Sequence, residues 1–256
     1  MSQVEIFSTL FKGFWLGLKP CVPYIIILIV IYIIVVFFKN NKNANTDKKT
    51  NKQRDKQQQI SDKEGKEYKE TEYYKETHTS YEDMITDKGK AGEYAAYRNI
   101  CNISGYKKFL FNVYIENKDN ADRKTEIDII LIHETGIFVI ESKNFKGWIY
   151  GDEASEKWCQ VFKNGKKFFF YNPIKQNYRH IQYLRDIVGD DKEITSIITF
   201  SDDATLKKIT NTNENLKVIN NKQLKWTLED KIRSNESKLT QEQINEIYNK
   251  LKKKQW

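Results

Sequence analysis

The residues that invite chemistry stand at the end of one hydrophobic run. In GIFVIESKNFKG (136–147) the β-formers at 137–140 stop at Glu141, Ser142 and Lys143. Side chains alternate along a strand, so Glu141 and Lys143 share the face of Ile137 and Val139. Either the strand emerges into water there, or a carboxylate and an ammonium sit at the mouth of a core. A second carboxylate, Asp128, interrupts EIDIILI between Ile127 and Ile129. Two or three carboxylates brought together can hold Mg²⁺, which takes hard oxygen ligands and keeps several waters. A lysine beside them can offset the charge of a phosphate. Two further polar residues occupy places that core packing would not choose. Glu93 lies on a helix face shared with Tyr97 and Ile100, and Gln176 lies in the first turn of a later helix, off its apolar stripe. Each residue also has a structural reading. Asp128 could be satisfied by backbone donors at a sheet end, and Glu141 with Lys143 could be a surface ion pair. Such a pair contributes only about 0–1 kcal/mol, and it does not explain clustering with Asp128.

Local patterns supply the elements that must position these groups. KGKAGEYAAYRNICNI, from residue 88, carries Tyr94, Tyr97 and Cys101 at helical spacing and predicts a helix over 88–102. Strands are expected at 107–115, 125–133 and 136–143, the last two joined tightly through Glu134, Thr135 and Gly136. The Gly- and Trp-containing stretch 147–171 has room for a small hairpin. NPIKQNYRHIQYLRDIVG (172–189) predicts a helix with Asn172 as N-cap, Pro173 at the first position and Gly189 as the stop. Its apolar stripe is Ile174, Tyr178, Ile181, Leu184 and Val188. Strands follow at 193–200 and 215–220. In the last helix Thr240 and Gln243 make a capping box, Leu239 and Ile244 a hydrophobic staple, and Ile244, Ile247, Tyr248 and Leu251 the buried face. The order α-β-β-β-α-β-β-α gives an α/β fold, a mixed central sheet flanked by helices. His180, one turn beyond Gln176, is expected as a packed or surface residue, and His78 and His133 as surface residues. Trp148, Trp158 and the run Phe168, Phe169, Phe170 could stack bases, but core packing is the stronger expectation.

Composition sets the organisation. The chain has 256 residues and a formal charge of +8, an excess that invites a nucleic-acid reading. Residues 39–56 alone carry +5, and only +2 falls on 57–256. Cys21, Cys101 and Cys159 form no CxxC pair, which argues against a zinc or redox motif and for reduced thiols. Residues 21–38, CVPYIIILIVIYIIVVFF, hold no charge over eighteen positions, just long enough for a helix to span a bilayer. No small-residue cleavage site follows, so an uncleaved single-pass anchor is expected rather than a signal peptide. The Lys-rich flank after it places a short N-terminus outside and residues 39–256 in the cytoplasm. Segments 1–20, 21–38, 39–85 and 86–256 are thus read as an interfacial stretch, a transmembrane helix, a polar flexible or partly helical linker, and the folded domain. The start of the linker, 39–56, could touch anionic lipid.

GKAGE, EIDIILIHETGIFVIESKNFKGWIYG and NPIKQNYRHIQYLR, in that order, resemble the nuclease-related domain, NERD, assigned to the PD-(D/E)XK restriction-endonuclease-like superfamily. The resemblance covers about 86–200, and the strand and helix within 201–256 fit the family's tail more loosely. A lone E-x-K would mean little in so charged a chain; the ordered set is hard to reach by chance. The resemblance implies a restriction-endonuclease-like α-β-β-β-α-β core. It likens Asp128 and Glu141 to the metal-binding carboxylates, Lys143 to the active-site lysine, Glu93 to the acid of the first helix and Gln176 to the polar residue of the later helix. Ile127 stands where the superfamily name has proline, a position the nuclease-related domain commonly fills otherwise. The implied activity is hydrolysis of nucleic-acid phosphodiester bonds, DNA ahead of RNA, dependent on Mg²⁺ or else Mn²⁺. The alternatives are an inactive module that binds nucleic acid or protein at the membrane, suggested by the near-neutral domain, and a tethered scaffold whose Lys-rich linker binds lipid.

Overall fold

The computed structural model describes residues 59–254 apart from 118, 119 and 237, with backbone alone at 117 and 120–123, together with Glu5, Ser8, Tyr32 and Val36. The chain divides into two compact units, Met1–Gly65 and Lys66–Trp256. In the first, the described residues are helical. The expected interfacial stretch and membrane span lie outside the described residues except at those four positions, as does the linker as far as residue 58. Among the described residues no helix is long and apolar enough to cross a membrane.

The second unit is built on two mixed sheets rather than the single sheet expected. Its strands are β1 (Lys107–Asn117), β2 (Asn120–His133), β3 (Gly136–Lys143), β4 (Gly147–Asp152), β5 (Lys157–Val161), β6 (Lys167–Tyr171), β7 (Ile194–Phe200), β8 (Ala204–Thr210) and β9 (Leu216–Asn220). Its helices are α1 (Glu72–Thr77), α2 (Tyr81–Thr86), α3 (Lys88–Ile100), α4 (Pro173–Val188), α5 (Asn221–Ser234) and α6 (Gln241–Lys252). The larger sheet runs β1-β2-β3-β7-β9, antiparallel across β1, β2 and β3 and parallel from β3 through β7 to β9. The smaller runs β6-β5-β4-β8, so the stretch read as a hairpin supplies three of its four strands.

Period-two alternation divides the larger sheet between two cores. Phe109, Phe111, Ile129, Leu131, Phe138 and Ile140 pack with Tyr97 and Ile100 of α3 and Leu224 and Leu228 of α5. Leu110, Ile130, Ile132, Ile137 and Val139 pack with Ile181, Leu184 and Val188 of α4 and with Ile244, Ile247 and Leu251 of α6. The alternation slips at one level. Phe111 and Ile129 belong to the first core, whereas their neighbours two positions on, Val113 and Ile127, belong to the second. Asn112 and Asp128 stand between these pairs, and Asn112 takes a left-handed φ of 51°, which Asn tolerates better than most residues. Asp128 therefore lies at a seam between two hydrophobic cores, which is how a carboxylate comes to stand between two fully buried isoleucines.

The folded unit begins earlier than residue 86. Residues 66–85, expected as linker, contain α1 and α2 and bury Tyr68, Tyr73 and Met84 in the first core. Tyr68 meets Tyr94 edge-on at 5.0 Å, and Tyr73 meets Phe111 likewise at 5.0 Å. A count of aliphatic residues passes over tyrosine, whose large ring is mostly apolar, so a Lys- and Glu-rich segment can still donate core.

Candidate active site

Helices α3 and α4 converge where the middle of β2 meets the end of β3. The β2–β3 pairing sets Ile129 opposite Ile140 and Ile130 opposite Val139, which brings Asp128 level with the end of β3. The tight turn that fixes this register depends on Gly136, at φ 139°. Asp128 Oδ2 accepts a hydrogen bond from the Ser142 backbone N–H at 2.8 Å. On α3, Gly92 allows close approach to the end of β3: a Cβ there would lie 2.9 Å from Asn144 Cβ. That approach delivers the next residue, Glu93, to the same cavity. The N-terminus of α4 is pinned by Asn172, whose Oδ1 caps Ile174 N–H while its Nδ2 donates to the carbonyls of Asp152, Glu153 and Ser155. Helix α4 then lays Gln176 and His180, one turn apart, beside Glu141.

The cavity so formed is about 710 Å³ and contains all five residues singled out from the sequence, Glu93, Asp128, Glu141, Lys143 and Gln176. Glu126, Lys124, Thr125, Arg179 and His180 also line it. Glu141 is fully buried and is the hub. Its Oε1 accepts from Lys143 Nζ and from Gln176 Nε2, the latter at 2.7 Å, and Gln176 Oε1 in turn accepts from Lys143 at 3.2 Å. Its Oε2 lies 3.2 Å from His180 Nε2, close enough for an ion pair but without hydrogen-bond geometry. Tyr73 of α1 donates to Glu93 Oε2 at 3.1 Å.

Negative charge exceeds what these donors neutralise. Burial, then the neighbouring Glu141 and Glu93 carboxylates, pushes Asp128 well above the ordinary carboxylate range. Burial pushes Glu93 up to about 7 against the Tyr73 bond, with Glu126, Asp87 and Glu141 adding to the rise. Burial alone would raise Glu141 too; His180 and Lys143 outweigh it and hold the carboxyl below its ordinary value. Acids displaced upward around one anionic carboxylate form a site that gains from a cation. Asp128 and Glu141 are the carboxylates that could hold one. Among the described residues no three His, Cys, Asp or Glu side chains converge on a single ion position. An ion held there would take two protein carboxylates and fill its remaining positions with water or substrate oxygen, the habit of Mg²⁺ rather than of a closed structural metal site.

The structure also corrects the reading of α4 and of His133. Tyr178, expected in the apolar stripe, is 61% exposed, and Asn177 and His180 take the buried face of the first two turns. Asn177 Nδ2 donates to Val139 O at 3.1 Å and to Ser196 Oγ at 2.8 Å, tying α4 to β3 and β7. His180 Nδ1 pairs with Thr125 Oγ1 at 2.9 Å, which fixes the ring that faces Glu141. The signal for His180 was its i+4 spacing from Gln176; nothing in the sequence pointed to Asn177. His133, expected at the surface, is fully buried between Thr135 Oγ1 and Ser104 O, and burial lowers its pKa. His78 is exposed at the end of α1. Of the aromatic residues expected in the core, Trp158 is buried but Trp148, Phe168 and Phe169 are exposed.

A helix carrying Glu93, an EID strand, an ESK strand and an NP-x-x-Q helix thus meet, in chain order, around one cavity. Residues 88–201 match the nuclease-related domain, NERD. The match opens with α3 and closes just past β7, so it contains every residue of the Glu93–Asp128–Glu141–Lys143–Gln176 cluster. An uncharacterized protein of Bacillus anthracis is 37% identical over 126 residues, which are 48% of this chain and 57% of that protein. The chain therefore spans a little over half of that relative. No solved structure matches. Helices α1 and α2, which close the cavity's first core, precede the part that matches the nuclease-related domain.

Proposed function

We propose that this protein is a divalent-metal-dependent nuclease that hydrolyses phosphodiester bonds in nucleic acid, DNA ahead of RNA. The observation that carries the reading is the buried Glu141 carboxylate held between Lys143, Gln176 and His180, with Asp128 and Glu93 in the same cavity. Asp128 and Glu141 are assigned to hold Mg²⁺ or Mn²⁺. A cation so held would supply Lewis acidity at the phosphate and lower the pKa of bound water. Lys143 reaches the cavity from the strand that carries Glu141, where its ammonium can donate to a phosphate oxygen and offset charge as the water oxygen adds to phosphorus. Glu93, near neutrality in its proton affinity, can hold the proton that the leaving oxygen needs as its bond to phosphorus breaks. Gln176 fixes the directions of Glu141 and Lys143 at once.

The apolar run 21–38 supports a membrane tether with residues 39–256 on the cytoplasmic side. Resistance of the full chain to carbonate extraction from membranes is the expected result, and release into the soluble fraction would remove the tether.

The test of hydrolysis is to incubate the full chain with plasmid, linear and single-stranded DNA, with and without Mg²⁺ or Mn²⁺. Cleavage that needs the cation and disappears in Glu141→Ala and Lys143→Ala is expected. Cleavage that survives both substitutions would sink the assignment. A second reading, an inactive binding module, is favoured by the small net charge of the folded part, only +2 over residues 57–256. It predicts nucleic-acid binding with no cleavage under any of these conditions.

A further inference from the structure

A second cavity opens on the other side of Lys143. It shares Gly89, Ser142 and Lys143 with the acidic cavity and has the same volume, about 710 Å³. Its charge is of opposite sign: Lys88 and Lys146 join Lys143 along its walls, against the single acid Asp203. Neither Lys88 nor Lys146 has an ion-pair partner among the described residues, and both are exposed. The far wall belongs to the β5–β6 hairpin, through Phe162 and Phe168. Phe168 is 52% exposed on β6, the edge strand of the smaller sheet; the turn before it carries Lys163 and Lys166, and Lys167 opens the strand. A large apolar ring held in water amid lysines gains when a flat partner covers it.

We propose that this second groove carries a single nucleic-acid strand away from the reacting phosphate, with its phosphates on Lys88 and Lys146 and one base stacked on Phe168. The assignment rests on the nuclease reading above and adds the form of its substrate. Three features select the occupant. A basic groove adjoining an acidic one suits a polyanion whose reacting phosphate alone sits beside a cation. An exposed aromatic ring on the wall needs a free base face, which an unpaired strand offers and a stacked duplex does not. The small net charge of the folded part suits a few localised phosphate contacts rather than a long basic stripe.

The experiment is fluorescence anisotropy of a labelled oligothymidylate with the full chain in detergent, in chelator so that no cleavage is required. Phe168→Ala is expected to weaken binding about tenfold, with Phe168→Tyr restoring it. Lys88→Ala with Lys146→Ala is expected to flatten the plot of log affinity against log salt by about 1.4, some 0.7 for each phosphate contact. Phe168 is exposed, so an unchanged melting temperature accompanies these losses. Binding that ignores both sets of substitutions overturns the proposal, as does an equal Phe168→Ala loss for a blunt duplex. The two readings fail separately. Groove-dependent strand binding with no cleavage by any form leaves the groove standing and removes hydrolysis. Cleavage indifferent to Phe168, Lys88 and Lys146 does the reverse.

Discussion

Gln176 Nε2 donates to Glu141 Oε1 at 2.7 Å, joining the first turn of α4 to the end of β3. The same amide accepts from Lys143 through its other end, so one side chain sets the direction of both charged groups. Gln176→Leu removes both bonds and leaves a buried carboxylate short of a donor, at a cost of about 1–3 kcal/mol. The expected outcome is a drop of about tenfold or more in kcat, since each 1.4 kcal/mol is a decade. KM for the nucleic acid is expected to change little. Steady-state cleavage in saturating Mg²⁺ checks it, and an unchanged kcat would show that Gln176 orients nothing.

Asp128 makes opposite predictions with and without cation. Asp128→Asn keeps an acceptor for Ser142 but removes one charge from the acidic cluster. Without divalent ions the variant is expected to melt above wild type. On adding Mg²⁺ or Mn²⁺, wild type is expected to gain stability by ligand binding to the native state, and the variant to gain none. Thermal melts of the two proteins in each condition decide it. A wild-type melting temperature indifferent to both ions would contradict the cation site.

Glu93 should write itself into the pH dependence of stability. Its folded pKa, about 7, is raised above the ordinary 4.5, so the folded state keeps a proton that the unfolded chain gives up. The penalty is absent below pH 4.5, grows as pH rises toward 7 and is constant above, reaching at most about 3 kcal/mol. The groups that face it, Tyr73 from α1 and Glu126, Asp128 and Glu141 from the sheet, stay in place in Glu93→Gln. Chemical denaturation across that window, in chelator, should show a decline for wild type that the variant lacks. Parallel curves would be the contrary result.

Asn177 holds α4 rather than the substrate. Asn177→Ala breaks the bonds to Val139 O and Ser196 Oγ inside the core and is expected to cost about 1–3 kcal/mol. At roughly 2–4 °C per kcal/mol for a domain of this size, the loss is visible in a thermal melt. Melting temperatures within a degree of wild type would remove Asn177 from this role.

The site was more legible in the sequence than the fold around it, for local reasons. Glu141, Lys143 and Asp128 lie on strands whose alternation and short turn are written in consecutive residues, so their meeting follows from register alone. Glu93 and Gln176 arrive on helices with plain caps and spacing. Asn177 went unnoticed and Tyr178 was misplaced because an apolar stripe is a count of apolar residues. On the first turns of α4 the buried face carries Asn177, tied to β3 and β7, and His180, tied to Thr125 of β2, so Tyr178 was assigned a place that they occupy. The smaller sheet was half hidden for a different reason. In KFFFY (167–171) four consecutive aromatics show no alternation, and in ATLKKIT (204–210) two consecutive lysines put a charge on each face, so neither signals a strand in isolation. Helix α5 offers only Leu224 and Leu228 as deeply buried aliphatics, too few to register before its partner α3 is in place.

The tyrosines before α3 have a practical consequence for anyone handling this chain. Tyr73 donates to Glu93 and packs on Phe111, while Glu76 of α1 pairs with Tyr248 and Lys252 of α6. A fragment begun at residue 88, where the family match opens, would strip the acid of its hydrogen bond and cut the link between the two termini of the unit. What has to travel together in any truncation, fusion or transplant therefore starts near residue 66. The sequence match outlines the chemistry, and the preceding twenty residues are the buttress without which that outline has no wall.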